Sequence, residues 1–378
     1  MLSQPHRSLI ISAIRPQGCV DICRACRYRD VSDSDELIQK QAWLEKKLSD
    51  WSNVLMPIRS IGERWGVRDK VTLKANYNGR EWQFGLVQRE EFIAIPDCPL
   101  HSPRVNAIMK ILATFPEDLP LSHISIVGGH MTFILRAKKN QYPDGLIAVQ
   151  NFLHKNSVGL ELNQIFGFWI NWNPEVGRWI TIHKNWEHVA GKKICHHPSG
   201  EHYGPGGFGQ AHWPLYMQAL DEVENFFLTY SPLAYLELYC GIGVALSRWD
   251  KKAIDCLGVE LSGESLAMVA LNAPQAKTLR GTCQQRIPQV DEWYRQKRLS
   301  GDVAVFVNPP RLGLEPEVAQ WLSQNKPAPL AYMSCSVNTL ARDLKILNEQ
   351  GMQVERLIPY DFFPKTRHIE ILALLKQF

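Results

Sequence analysis

The chain has 378 residues, 45% hydrophobic and 21% charged, with a net charge of +4. That balance excludes a disordered tail and a small disulfide-stapled scaffold, and leaves material for two or three globular domains. No apolar run approaches the roughly 20 residues of a membrane helix, and residues 1–18 lack a leader core, so a cytoplasmic chain without a membrane partner is expected.

In chain order, residues 1–33 form a short segment with Cys19, Cys23 and Cys26 among Arg24, Arg27 and Arg29. Residues 34–65 read as a helical connection. Asp33 or Ser34 can cap a helix that sets Leu37, Gln41, Leu44, Leu48 and Trp51 on one face. Residues 66–204 read as a central α+β domain. Its first hairpin runs from Val71 to Val87 around Asn78-Gly79, a pair suited to the positive φ angles of a tight turn. A helix is expected at 105–115, and strands at 124–126, 131–136, 145–149, 167–172 and 179–183. Gly204-Pro-Gly-Gly-Phe-Gly-Gln210 reads as a glycine-rich hinge. From 205 to 378 strands and helices alternate, which predicts an α/β domain on a parallel sheet.

Within that last region, Tyr235 to Gly243 reads as a strand entering a Gly-x-Gly turn, and a second strand ends at Glu260. Gly241 and Gly243 let backbone approach a ligand, and an acid at a strand end can hold both ribose hydroxyls of an adenosine group. The turn alone also suits a nicotinamide dinucleotide, or no ligand. The absent third glycine argues against a pyrophosphate grip and for S-adenosylmethionine. Asn308-Pro-Pro-Arg311 follows the apolar run 303–307; its asparagine and rigid prolines can grip a planar base, and Arg311 suits a phosphate or an enolate oxygen. Cys335 follows another short apolar run, at 330–333. A lone cysteine there is most simply a buried core residue, but beside the Asn-Pro-Pro loop it is a candidate nucleophile.

Together these residues resemble the RNA uracil-C5 methyltransferase family. Phe208-Gly-Gln210, Leu238-Tyr-Cys-Gly-Ile-Gly243, Asn308-Pro-Pro-Arg-Leu-Gly313, Ser334-Cys335 with Thr339 to Asp343, and Phe363-Pro-Lys-Thr-Arg-His-Ile-Glu370 are each similar to a family motif. The resemblance implies a class I, Rossmann-like methyltransferase domain at the C-terminus that acts with S-adenosylmethionine. Cys335 would add to uracil C6, and Glu370 would remove the C5 proton after methyl transfer. Gln210, Tyr239, Gly241, Gly243, Glu260 and Asn308 would contact the cofactor. Arg311 and Arg342 are candidates to stabilise the Cys335 thiolate, and His368 is expected to position rather than catalyse.

Cys19-x3-Cys23-x2-Cys26 has the spacing of a radical S-adenosylmethionine motif, but Cys98 in Asp97-Cys-Pro offers a fourth ligand. By resemblance Cys19, Cys23, Cys26 and Cys98 hold a [4Fe-4S] cluster; structural zinc suits the same four thiols. Cys195, Cys240, Cys256 and Cys283 read as core or loop residues. With Cys19 so near the start, the chain resembles the short branch without an N-terminal β-barrel, which implies 23S ribosomal RNA as partner, transfer RNA second, and a monomer. Arg68-Asp-Lys70 and Arg136-Ala-Lys138-Lys139 are the basic stretches offered to RNA. Two departures stand out: Leu279 to Cys283 lacks the acid the family places near the adenine, and His212 replaces a small polar residue. A non-catalytic RNA-binding or assembly factor on the same fold is the rival from another class.

Overall fold

Two seven-stranded sheets organise the chain in a computed structural model that describes residues 15–115, 119–141, 143–159, 167–175, 180–182, 185–207 and 209–378. Residues 1–14 and Phe208 of the Phe-x-Gln motif lie outside the described residues.

Ser32 accepts a hydrogen bond from the Asp35 amide and starts α1 (Asp33–Lys47), slightly ahead of the expected cap. The buried face of α1 is Glu36, Lys40 and Leu44, not Leu37 and Gln41. The cause is an ion network enclosed between α1 and the loop at 361–365. Lys40 Nζ lies 2.7 Å from Glu36 and 2.8 Å from Asp361, and the Arg64 guanidinium lies 2.8 Å from Glu36. Glu36 also accepts the Lys365 amide at 2.7 Å, so α1 grips the loop that leads to Glu370. Removing one partner strands a charge away from water. Lys40→Ala is therefore expected to cost about 3 kcal/mol in urea unfolding; a loss below roughly 1 kcal/mol would show that the network is hydrated.

β1 (Lys70–Tyr77) and β2 (Trp82–Gln88) form the expected hairpin, with Tyr77 opposite Trp82. The connection is longer than a two-residue Asn-Gly turn. Asn78 Oδ1 accepts the Arg80 and Glu81 amides, each at 3.0 Å, and of the pair only Gly79 takes a positive φ, +90°. Asn78 thus acts through its side chain. The sheet continues with β3 (Glu91–Ala94), β4 (Leu121–Val127), β5 (His130–Leu135), β6 (Gly167–Trp172) and β7 (Trp186–Gly191), in the order β3-β2-β1-β4-β5-β6-β7. One face packs against α2 (Pro103–Ala113) and α3 (Pro143–Lys155). The strand expected at 145–149 is the start of α3. Val149, Phe152 and Leu153 are all buried, a helical spacing that a short apolar run disguises. The strand expected at 179–183 lies partly outside the described residues. Its 180–182 portion is no strand: the Ile180 and Ile182 carbonyls bond the side-chain amides of Asn173 and Asn171. A small ladder of β8 (Cys195–His196) and β9 (His202–Tyr203) follows.

α4 (Trp213–Leu228) then leads into the second sheet. His212 Nδ1 faces the Leu215 amide at 3.5 Å, so this departure from the family pattern serves as the helix N-cap. Next come β10 (Ala234–Leu238), α5 (Val244–Asp250), β11 (Asp255–Glu260), α6 (Gly263–Asn272), β12 (Lys277–Arg280), α7 (Cys283–Arg298), β13 (Val303–Val307), α8 (Pro316–Asn325), β14 (Leu330–Ser334), α9 (Val337–Glu349), β15 (Met352–Tyr360) and β16 (Glu370–Gln377). The order is β12-β11-β10-β13-β14-β16-β15. β10 to β14 are parallel, and β16 runs antiparallel between β14 and β15. Apolar cores cover both faces, which explains strands with unbroken buried runs. The chain order reverses between β10 and β13, and the crevice at their carboxyl ends is where such a sheet binds ligands. Residues 54–59 close the outer edge at β15 through Met56 N–H to the Leu357 carbonyl and Arg59 N–H to the Pro359 carbonyl, each 2.8 Å. Among the described residues no helix is long and apolar enough to cross a membrane.

Candidate active site

Four consecutive positions in the sheet deliver polar groups to one crevice. β10 ends in Tyr239, held at φ +63°, a strained setting for a non-glycine residue, followed by Gly241 at +55° and Gly243 at +78°. A Cβ built on Gly241 meets nothing within 4 Å, so this turn opens onto free space. At the end of β11, Glu260 accepts the Gly241 amide at 3.0 Å and the Ser262 amide at 2.7 Å. Each carboxylate oxygen keeps a second lone pair for a ligand hydroxyl. β13 delivers Asn308 and the loop through Gly313. β14 delivers Cys335.

The loop after Asn308 is fixed by α9. Arg342 donates to the Leu312 carbonyl at 3.0 Å, and Asp343, fully enclosed, accepts the Leu314 amide at 2.9 Å and the Tyr332 hydroxyl at 2.7 Å. Arg342 therefore spends its charge on Asp343, 2.7 Å away, and on loop backbone. Of the two candidate cations, Arg311 is the one that acts on Cys335 by charge and hydrogen bond. A lone acid on an amphipathic helix gives no local sign that it organises a loop, so the role of Asp343 is not legible in sequence.

Cys335 and Glu370 meet through strand pairing. Ser334 is opposite Ile371 in the β14–β16 ladder, and one further antiparallel step sets Cys335 against Glu370. Burial first, and then the Glu370 carboxylate, push the Cys335 thiol up, while Arg311 pulls it down by charge and a hydrogen bond. Burial likewise pushes Glu370 to about 8, against the opposing charge of Arg311. His368 is held below its ordinary value by burial and by Arg311, so it stands neutral beside them. Arg311 is thus the cation shared by both candidate reacting groups.

Gln210, Tyr239, Gly241, Glu260, Asn308, Arg311, Cys335, His368 and Glu370 all line one cavity of about 1720 Å³, which Arg68 and Lys70 border from the first sheet. Gly243 lies behind it, where a Cβ would press on Val269 at 3.1 Å, so its role is close helix packing. A fully buried acid on β10, Glu237, was missed by the sequence reading. Burial raises it to about 8. A carboxyl raised from 4.5 to about 8 binds its proton more tightly when folded, so its stability contribution is complete below about pH 4.5 and lost as pH rises through about 8. Glu237→Gln is expected to flatten the fall in unfolding free energy between about pH 5 and pH 8, by about 1.4 kcal/mol per pH unit; an unchanged slope in urea unfolding would show Glu237 ionised in the fold.

Comparison with known proteins places this site. Residues 227–378 match the model of the tRNA (uracil-5-)-methyltransferase family. That match spans the second sheet and its crevice, and is a likeness of this part of the chain to that family. A 23S rRNA (uracil(747)-C(5))-methyltransferase, RlmC, of Yersinia pseudotuberculosis is 24% identical over 93% of this chain and 96% of its own length. An uncharacterized RNA methyltransferase of Protochlamydia amoebophila is also 24% identical, over 94% of this chain and 81% of its own. The structure of Pyrococcus abyssi tRNA (uracil-54, C5)-methyltransferase, in complex with S-adenosyl-L-homocysteine, shares the fold. It superposes with a TM-score of 0.69 at 19% identity, over 93% of this chain and 84% of that one.

Cys19, Cys23, Cys26 and Cys98 line a second, smaller cavity of about 140 Å³ between the N-terminal segment and β1. Burial first, then the neighbouring Cys98, pushes Cys26 up to about 12, and Arg68 opposes the shift. The four sulfurs share a cavity but do not form a ligand set as they stand. Among the described residues no group of three or more His, Cys, Asp or Glu side chains is arranged to hold a metal ion. Cys195, Cys240, Cys256 and Cys283 are buried, as expected of core residues.

Proposed function

We propose that this chain methylates C5 of a uracil in RNA, with 23S ribosomal RNA as first substrate and a transfer RNA T-loop uridine as second. The observation that carries the reading is Cys335 opposite Glu370, with Arg311 acting on both, in the cavity that also holds the Gly241–Glu260 cradle. The full-length match to RlmC supports ribosomal RNA.

The residues fit S-adenosylmethionine: Gly241 leaves room for it, Glu260 suits its ribose, and Gln210, Tyr239 and Asn308 border the same space. When bound, S-adenosylmethionine supplies an electrophilic methyl group. Cys335 adds as a thiolate to C6 of the uracil, and the electron pair of the C5=C6 bond moves toward C5 and O4. Arg311 steadies the negative charge first on sulfur and then on the enolate oxygen. Once C5 carries the methyl, Glu370 takes the C5 proton, the double bond re-forms and the thiolate leaves. Uracil C6 is inaccessible inside a stack, so the target is an unpaired or flipped base, with Arg68 and Lys70 at the mouth for its phosphates. Cys19, Cys23, Cys26 and Cys98 would hold a [4Fe-4S] cluster that ties residues 15–32 to the first sheet. Iron and sulfide assays on anaerobically purified protein test this, and stoichiometric zinc would replace it.

The function is tested by incubating the purified chain with labelled S-adenosylmethionine and either 23S ribosomal RNA or transfer RNA, then digesting to nucleosides. Label in 5-methyluridine is expected. Label in another nucleoside, or none in either RNA, sinks the reading and favours a non-catalytic RNA-binding role.

A further inference from the structure

We propose that Glu315 reads the adenine ring of the bound S-adenosyl group by accepting a hydrogen bond from its exocyclic amine. This rests on the S-adenosylmethionine reading above. The end of β12 and the turn beyond it, Leu279 to Cys283, bring no carboxylate to the cavity. Glu315 reaches the same place from another element. It stands at the N-cap of α8, yet its side chain makes no capping bond to that helix. It crosses instead to the turn after β10 and to the start of α7, where Oε2 accepts the Tyr239 hydroxyl at 3.3 Å and the Gln284 amide at 3.0 Å. Cys283 feels both Tyr239 and Glu315, which sets all three around one corner. Glu260, Tyr239, Thr282, Cys283 and Glu315 border a single cavity.

The chemistry of that corner matches one edge of adenine. An adenosine whose ribose hydroxyls met Glu260 would have Thr282, Cys283 and Glu315 in the same cavity to hold its base. The edge that faces outward there carries a donor, the 6-amino group, beside an acceptor, N1. A carboxylate set against the N–H groups of a helix start supplies the complementary acceptor and donors. Oε1 makes no hydrogen bond among the described residues and is the oxygen left for the amine. A 6-oxo base would instead set its carbonyl against the carboxylate, which the site should reject.

The test uses calorimetric binding to the whole chain, with S-adenosylhomocysteine and its 6-oxo counterpart, S-inosylhomocysteine, as probes. Wild type is expected to prefer the adenosyl form by about 100-fold, the scale set by a mismatched buried hydrogen bond. Glu315→Gln keeps an acceptor for Tyr239 and Gln284 but can also turn an amide N–H to a carbonyl, so the preference should shrink to within about threefold. Glu315→Ala should weaken the adenosyl form and, by removing the carboxylate that opposes the 6-oxo group, tighten inosyl binding. A folded Glu315→Gln that keeps the wild-type preference overturns the proposal. Wild type that binds S-adenosylhomocysteine with no preference overturns this inference alone. Wild type that binds neither probe removes the cofactor reading and this one with it.

Discussion

Cys335→Ala is expected to abolish methyl transfer to RNA, with a fall of at least roughly a thousandfold, while S-adenosylhomocysteine binding stays within about threefold of wild type. Uracil C5 is a weak carbon nucleophile, and only addition at C6 makes it reactive. No other thiol in the crevice can substitute. Cys240 and Cys283 border the cavity but are buried, and burial drives both thiols far above their ordinary range. Cys335 is itself pushed upward by burial and by Glu370, so the free enzyme carries mostly thiol at neutral pH. Its reactive fraction therefore grows with pH, and single-turnover rates should climb about tenfold per unit through the neutral range. RNA bearing 5-fluorouridine gives a direct readout. The thiolate adds, the methyl transfers, and fluorine cannot leave as a cation, so the adduct survives denaturing electrophoresis. The adduct should form with wild type and be absent with Cys335→Ala. A band of equal intensity in the variant, or ordinary 5-methyluridine formation, would dismiss Cys335 as the nucleophile.

Much of this site is legible in sequence because a parallel sheet gathers strand ends at one edge. Gly241, Glu260, Asn308 and Cys335 each follow a short apolar run, and four adjacent strands, β11, β10, β13 and β14, bring them together. Long-range register is what a local pattern does not carry. That Glu370 stands against Cys335 depends on β16 inserting antiparallel beside β14, a fact of topology rather than of any nearby residue. Binary patterning also fails where charge is buried. Gln41 was assigned to the inner face of α1, whereas Glu36 and Lys40 occupy it through partners from Arg64 to Lys365. At 145–149 the short apolar run fits strand and helix alike, and only packing of α3 on the first sheet decides. Glu315 escaped notice for a related reason. The expected acid was sought after β12, and the one that reaches that corner comes from the loop after β13.

Glu370→Gln separates the two halves of the proposed reaction. The amide keeps the shape of the carboxyl and its place across from Cys335, but it cannot take a proton from C5. Addition and methyl transfer should still occur, and the methylated adduct should then stall with both a methyl and a hydrogen on C5. With ordinary uridine RNA, wild type turns this species over, whereas Glu370→Gln should accumulate it as a covalent protein–RNA complex. Turnover should fall by roughly 10³-fold or more, within the upper range of general-base effects. Above about pH 8, where Glu370 is ionised, replacing it also removes the anion that, after burial, most raises the Cys335 thiol, so adduct formation there should proceed as fast as in wild type or faster. The pH dependence follows with a definite sign. Glu370 is raised to about 8, so it is protonated at neutral pH in the free enzyme and must ionise before it can act. Wild-type kcat/KM should rise with pH up to and beyond about 8, because Cys335 must ionise as well. In Glu370→Gln the contribution near 8 should vanish from adduct formation and only the thiol ionisation remain. Two outcomes would remove Glu370 from the role of base: turnover within tenfold of wild type, or no accumulated adduct on ordinary RNA while the 5-fluorouridine adduct still forms.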